Sequence, residues 1–240
     1  MRSCANLPVK DLGAPMDVLW MRITRHANDQ ADVLGHIDAG RILVMIDRGD
    51  YWQCAFVIRK GASEETKRAG LAAFQQRVAK LIPLFADRVD ELKDWDQIKL
   101  LTVAVNRVRR WHRPGLLCIG DAAHAMSPIG GVGVNLAVQD AVAAANLLWQ
   151  PLKGRTVQED DLARVQRRRE FPTRITQRLQ VIVQNNVIDR LLAAGESLST
   201  PWLLRLFSRV APLRAIPAWL VGKGVRPEHV HTPNTPAATG

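Results

Sequence analysis

The residues best suited to chemistry lie close together, in a segment whose sequence over residues 120–135 is GDAAHAMSPIGGVGVN. The segment follows a short apolar run from Leu116 to Ile119, which predicts a buried strand of the parallel type. Asp121 would then lie at the carboxyl end of that strand, where open α/β sheets bind their ligands. A carboxylate in this position can accept hydrogen bonds from the hydroxyl groups of a sugar or polyol.

The glycines of this segment predict a close approach between backbone and ligand. Gly130, Gly131 and Gly133 carry no side chain that would keep a flat or charged ligand away from the main chain. The alanine-rich run from Asn135 to Leu148 predicts a helix, and the free N–H groups at its start would stabilise an anion. Two simpler interpretations stay open: Asp121 could cap a turn, and the glycines could form an ordinary loop.

His124 could be a catalytic base, but the favoured interpretation is a packed histidine whose ring bonds the backbone. A hydrolase triad of Asp121, His124 and Ser127 is disfavoured, because three residues in one loop rarely reach the required geometry. No GxSxG elbow accompanies them either. We therefore assign no catalytic acid or base from the sequence.

A β-rich stretch precedes the segment and is expected to cover the substrate. Runs of strand-forming residues predict strands at 17–25, 40–47, 51–59 and 97–108. The triplet Arg48-Gly49-Asp50 predicts a hairpin turn between the second and third of these. In the fourth run, the apolar positions predicted to point inwards are Ile98, Leu100, Val103 and Val105.

Helices are predicted on both sides of the segment. The first should begin at a capping Ser63 and end or kink at Pro83, with an apolar stripe formed by Leu71, Phe74, Val78 and Leu81. Residues 159–192 predict one or two basic helices interrupted near Pro172. Further prolines should break the remainder into short pieces: Pro201, Pro212 and Pro217. The tail from Pro227 is predicted to fray.

Composition and charge limit the classes to which the protein can belong. The chain has 240 residues, 47% of them hydrophobic and 23% charged, as in ordinary globular proteins. No secretory signal or metal-binding cysteine spacing is recognised, which favours the reducing cytosol and no metal. The net charge of +10 lacks the accompanying signatures of nucleic-acid binders. We interpret residues 167–169, three arginines, as a solvated helical face and leave open a weak contact with an anionic membrane surface.

Residues 120–135 resemble the second flavin-binding motif of the FAD-dependent aromatic hydroxylases, the class A flavoprotein monooxygenases that include para-hydroxybenzoate and ubiquinone-pathway hydroxylases. The matching positions are Gly120-Asp121-Ala122-Ala123-His124, Pro128, Gly130, Gly133 and Asn135. Residues 48–53, 165–170 and 226–229 also resemble one bacterial branch, less specifically. The resemblance implies a reaction in which NAD(P)H is the reductant and molecular oxygen hydroxylates an aromatic or quinone-like small molecule.

The resemblance also implies how FAD would be held. Asp121 would bind the ribityl hydroxyls, Pro128 would line the reacting flavin face, and backbone amides near Val134 and Asn135 would reach the pyrimidine edge. The residues expected to contact the cofactor are Gly120, Asp121, Pro128, Gly130, Gly131, Val132, Gly133, Val134 and Asn135.

The chain departs from the family pattern because it lacks the GxGxxG motif that grips the ADP half of FAD, and the family's middle Asp-Gly motif. The run from Gly131 to Gly133 fails as a substitute, since Leu136 occupies the third glycine position. We expect an N-terminally truncated hydroxylase, or one chain of a split flavoprotein completed by a partner chain with the nucleotide-binding part. A non-catalytic fragment and a related FAD-dependent reductase or halogenase remain alternatives.

The expected architecture is the C-terminal portion of a flavin monooxygenase fold, of the α+β or α/β class. Residues 1–108 should form a β-sheet substrate region with one helix, and residues 109–150 the FAD-binding strand, loop and helix. Residues 151–240 should form a C-terminal helical region and tail.

Overall fold

The computed structural model describes residues 4–29, 35–38, 41–188 and 222–231. Their contacts divide them into two compact units. The sheet unit contains the described residues from Ala14 to Val103 and those from Ile182 to 188. The motif unit contains those up to Gly13, those from Ala104 to Val181, and residues 222–231. The mixture of helices and antiparallel strands confirms the expected α+β class.

The described strands and helices are as follows in chain order. The strands are β1 Val9–Asp11, β2 Met16–Thr24, β3 Gly35–Asp38, β4 Arg41–Asp47, β5 Tyr51–Arg59, β6 Lys99–Leu101, β7 Asn106–Val108, β8 His112–Arg113, β9 Leu116–Leu117 and β10 His124–Ala125. The α-helices are α1 Ser63–Arg68, α2 Leu71–Leu81, α3 Val132–Lys153 and α4 Glu159–Val183.

The sheet unit is built on an antiparallel sheet with the strand order β3-β4-β5-β2-β6. The predicted hairpin between β4 and β5 is confirmed, with the Arg48 amide donating to the Tyr51 carbonyl at 3.0 Å and Gly49 at a φ of 93°. Alternate residues of β2, β4 and β5 pack against α2 in one apolar core. The predicted helix stripe supplies Phe74, Val78 and Leu81 to this core, and Leu71 packs against its edge.

Four expectations in this unit are wrong. The helix is split by Gly70, whose φ of 90° ends α1, and Ser63 does not cap it because the N-cap residue is Ala62. Residues 97–108 do not form one strand, since β6 pairs with β2 and β7 joins the other unit's sheet. Leu100 is exposed rather than inward, whereas Ile98, Val103 and Val105 are buried as predicted.

Two buried carboxylates hold loops of the sheet unit. Asp17 accepts hydrogen bonds from Lys60 Nζ at 2.8 Å, the Gly61 amide at 2.9 Å and the Val103 amide at 3.0 Å. Burial raises the pKa of Asp17, but these hydrogen bonds outweigh it and hold the pKa below its ordinary value. Asp29 forms a buried ion pair with Arg88 at 2.9 Å. Neither carboxylate was given a role on sequence grounds.

The motif unit contains an antiparallel sheet with the order β1-β7-β10 and the separate hairpin β8-β9. The parallel strand expected over Leu116 to Ile119 is therefore wrong: Leu116 and Leu117 pair antiparallel with β8. The reason is local, because a turn at Pro114 and Gly115, the latter with a φ of 75°, returns the chain directly onto β8.

The two long helices α3 and α4 belong to this unit and pack through Leu148, Leu162 and Val165. The predicted interruption near Pro172 is wrong: α4 runs through this buried proline, which removes a single backbone N–H from the helix. In the described part of the chain, α3 is the one helix long and apolar enough to cross a membrane, and only about a third of that window is buried. Length and composition alone are weak evidence for a span, and α3 contains an ion-paired Asp140.

The end of the chain is described only over residues 222–231. The prediction that the tail frays from Pro227 is wrong for these residues, because the segment is bonded to α3: Asn146 Nδ2 donates to the His229 carbonyl at 2.7 Å, and the His231 amide donates to Asn146 Oδ1 at 2.8 Å. The breaks predicted at Pro201, Pro212 and Pro217 lie outside the described residues, as do Pro233 and Pro236.

Candidate functional site

The candidate site begins at a 3-10 turn over Gly120–Ala122. Gly120 is buried with a φ of 55°, and a Cβ atom there would lie 3.0 Å from the Cβ of Ala137 on α3. Glycine therefore permits both the left-handed backbone and the close approach of turn and helix. The Asp121 side chain is exposed, and no residue in the described ranges bonds to it. Its carboxylate is available to a ligand.

The second part of the site is the start of α3. Gly130 and Gly131 have φ values of 76° and 64°, and Gly131 is the N-cap residue, which offers no side-chain cap. The first N–H groups of this 22-residue helix therefore have no partner within the helix, and they lie at its positive dipole end. A Cβ at Gly131 would meet nothing within 4 Å, so the approach to the backbone is open.

The structure places the predicted site residues in three groups by exposure. Those whose backbone or side chain is exposed are Asp121, Pro128, Gly130, Gly131 and Val134. Gly133 and Asn135 are half-buried, and Gly120 and Val132 are buried. The side chain of Val132 is therefore not available to a ligand. These positions form an exposed loop and helix start behind which the buried members pack.

His124 is packed, as predicted, but its predicted bond to the backbone is wrong. The residue is 1% exposed, its Nε2 lies 2.6 Å from Asp140 Oδ2, and its ring centroid is 5.0 Å from that of Trp111. Asp140 also accepts from the Gly120 amide at 3.0 Å. The Asp140 carboxylate is the partner of His124, in place of a backbone group, because α3 packs directly against the turn at Gly120–Ala122. His124 is not accessible as a surface base.

Arg169 corrects the interpretation of residues 167–169. Arg167 and Arg168 are exposed, but Arg169 is fully buried and donates from Nε to Asp140 Oδ1 at 3.0 Å. Helical periodicity explains the difference, because residues two apart on α4 point in nearly opposite directions. Asp140 and Arg169 are thus site-forming residues that sequence reasoning missed.

Helix α4 buries a polar stripe where an apolar one is usual. The buried residues, spaced four, four and three positions apart, are Arg169, Thr173, Gln177 and Gln180. Large apolar residues of the same helix face outwards instead, Phe171 at 52% and Ile182 at 55% exposure. Hydrophobic periodicity could not reveal this stripe, and the repeated polar spacing was the one available signal.

Comparison with known proteins identifies the family. A family model described as an FAD binding domain matches residues 2–179. The 6-methylpretetramide 4-monooxygenase of Streptomyces rimosus is 35% identical over 203 residues, which cover 83% of this chain and 47% of that protein. The kynurenine 3-monooxygenase of Stenotrophomonas maltophilia is 38% identical over 81 residues, 33% of this chain and 17% of that protein.

Solved structures show the same fold. PqsL, a probable FAD-dependent monooxygenase from Pseudomonas aeruginosa, superposes with a TM-score of 0.63 at 19% identity, covering 80% of this chain and 54% of that one. The OxyS anhydrotetracycline hydroxylase of Streptomyces rimosus has a TM-score of 0.59 at 17% identity, covering 97% of this chain and 46% of that one. The chain belongs to the FAD-binding domain family of the class A FAD-dependent aromatic hydroxylases. It spans about half the length of the relatives it matches.

Proposed function

We propose that residues 120–135 bind FAD and that the complete protein is a monooxygenase. It would hydroxylate an aromatic or quinone-like small molecule with NAD(P)H and molecular oxygen. The observation that carries the proposal is the pairing of an exposed Asp121, to which no described residue bonds, with a glycine-led helix start that has no side-chain cap, in a chain of this family. The donor set suits the cofactor: a carboxylate for hydroxyl groups, and free N–H groups for an anionic edge.

Bound FAD would supply the redox and oxygen chemistry. The part of this chain is to bind and orient: Asp121 accepts hydrogen bonds from the ribityl chain, and the N–H groups at the start of α3 stabilise negative charge. Pro128 lines the cofactor face. The sheet unit is proposed to cover the substrate. The three cysteines are free thiols, which supports a reducing, cytoplasmic location.

FAD retention tests this proposal directly. The purified chain is mixed with FAD, excess cofactor is removed, and the retained flavin absorbance and the dissociation constant are measured. Replacing Asp121 by Ala removes charged hydrogen bonds, so the dissociation constant should rise by about ten- to a hundredfold. The matched control is Asp90→Ala, another exposed aspartate in a 3-10 turn, at Val89–Glu91. Equal retention by wild type and Asp121→Ala would contradict the assigned role.

A second candidate is a flavoprotein completed by another polypeptide. The chain covers about half of its relatives and lacks GxGxxG, and α3 exposes Val134 at 72% and Val138 at 57%. In this candidate, a partner chain with the nucleotide-binding part supplies the ADP site. FAD retention that appears only after this part is added would support it. A product assay would separate a hydroxylase from a reductase or halogenase.

A weak contact with anionic membranes stays a proposal as well. It rests on the net charge of +10 and on exposed arginines of α4, among them Arg167 and Arg174. Sedimentation with phosphatidylserine vesicles should then fall as salt rises. No sedimentation at low salt would contradict it.

A further inference from the structure

We infer that the buried polar stripe of α4 positions the FAD-contacting segment, with Arg169, Gln177 and Gln180 as its positioning residues. The inference rests on the proposed function for its consequence at the cofactor. The contacts of the stripe itself all lie within the motif unit.

The first contact is through Asp140. Its carboxylate receives Arg169 Nε on one oxygen, and the Gly120 amide and His124 Nε2 on the other, at 3.0, 3.0 and 2.6 Å. Asp140 and Arg169 are both fully buried. One charged pair therefore fixes the start of the segment to α3 and α4 together. Charge-assisted hydrogen bonds of this kind hold geometry more firmly than neutral ones.

The second contact is through the two glutamines. Gln177 Nε2 donates to the carbonyls of Asn106 at 2.9 Å and Ala125 at 3.1 Å, which are cross-strand partners on β7 and β10. Gln180 Nε2 donates to the Ser127 carbonyl at 2.9 Å, and its Oε1 accepts from the Ser127 amide at 3.2 Å. Gln177 thus binds the last residue pair of β7 and β10, and Gln180 binds the backbone of Ser127, two residues beyond the end of β10.

The segment at residues 222–231 completes the arrangement. Arg169 donates to the Arg226 carbonyl at 3.1 Å and to Glu228 Oε1 at 3.4 Å, and its remaining nitrogen donates to Gln139 Oε1 at 3.0 Å. Each of the three nitrogens of the buried guanidinium therefore has at least one acceptor, and hydrogen-bonded partners of this kind offset the cost of burying a charge. Burial alone does not explain the polar residue types of the stripe, because burying hydrophobic side chains of similar length would cost less free energy. Their hydrogen bonds are the feature that hydrophobic residues could not supply.

The test compares matched substitutions in the full chain. Gln180→Met removes both bonds to Ser127 without leaving a buried charge, and its control is Gln150→Met at an exposed position of α3. Arg169→Met is the stronger change, and its control is Arg167→Met on the exposed face. Amide hydrogen exchange is followed by mass spectrometry in the FAD-free chain, and FAD dissociation constants are then measured.

We expect exchange over residues 120–135 to quicken about tenfold or more in Gln180→Met, the factor that loss of its two hydrogen bonds to Ser127 implies. Arg169→Met removes four hydrogen bonds and should quicken exchange by at least as much. Peptides over 141–153 and 159–168 should keep their protection, and FAD affinity should fall about tenfold. Unchanged exchange at 120–135, or equal loss of protection in the helix peptides, would overturn the inference. Wild-type protein that retains no FAD, either alone or after the nucleotide-binding part is added, with exchange responding as expected, would refute the proposed function and leave the positioning role standing.

Discussion

Substitution of Gly120 tests whether the turn and α3 must approach as closely as the structure shows. Gly120→Ala has two costs. A φ of 55° strains an alanine by about 1–2 kcal/mol, and the new Cβ at 3.0 Å from Ala137 Cβ adds overpacking of about 1–3 kcal/mol. Together the free energy of unfolding should fall by about 2–5 kcal/mol.

The matched control is Gly115→Ala. Gly115 has a φ of 75°, but a Cβ atom added there would meet nothing within 4 Å, so this variant has the backbone strain alone, about 1–2 kcal/mol. Adding Ala137→Gly to Gly120→Ala should recover the overpacking part, reduced by about 0.5–1 kcal/mol for a glycine inside a helix. This recovery would show that the difference in stability between Gly120→Ala and Gly115→Ala comes from the contact between residues 120 and 137.

The assay is urea unfolding followed by tryptophan fluorescence and circular dichroism, with the midpoint and slope fitted for each variant. The reasoning would be refuted if Gly120→Ala and Gly115→Ala lost the same stability. It would also be refuted if Ala137→Gly gave no recovery in the Gly120→Ala background. Either result would mean that the turn moves away from α3 at little cost.

Two further predictions concern the sheet unit. Hydrogen bonds hold the pKa of Asp17 below its ordinary value, so the stability they supply is complete above about pH 4 and is lost as the pH falls through the lower folded-state pKa. Asp17→Asn should therefore be less stable at about pH 7 and should decline less steeply in acid than wild type, as measured by thermal melts; parallel declines would contradict this. Burial raises the pKa of the Cys54 thiol to about 12, so iodoacetamide at about pH 8 should modify exposed Cys4 and spare Cys54 until the chain unfolds. Peptide mass spectrometry would read the labelling, and early modification of Cys54 would count against the burial.

Local sequence patterns predicted the elements whose conformation depends mainly on neighbouring residues. The hairpin at Arg48-Gly49-Asp50 and the apolar stripe of α2 were confirmed, because a tight turn and a 3.6-residue period each follow from neighbouring residues. The run from Leu116 to Ile119 was wrongly predicted as a parallel strand, because its pairing depends on residues outside the run. Its apolar character is the same in a buried parallel strand and in a short hairpin, and pairing partners distinguish the two.

The segment at residues 120–135 illustrates the same division within the candidate site. Its glycines, its exposed acid and the helix that follows were predicted from residues 120–135, since backbone freedom and helix dipoles belong to the segment itself. The partner of His124 was not predictable in this way. Asp140 is sixteen positions away, and helix packing brings it to the ring.

The amino-acid sequence by itself determined the family, the glycine-rich segment that leads into α3 and the alternation of strands and helices, because motif spacing and periodicity are properties of the chain. Tertiary structure alone decided which polar residues are buried. Arg169 and Arg167 have the same side chain, and only the packing of α4 against α3 separates a buried ion pair with Asp140 from an exposed one with Asp160. Burial depends on what lies opposite each helix face, and that is set by contacts between residues distant in the sequence.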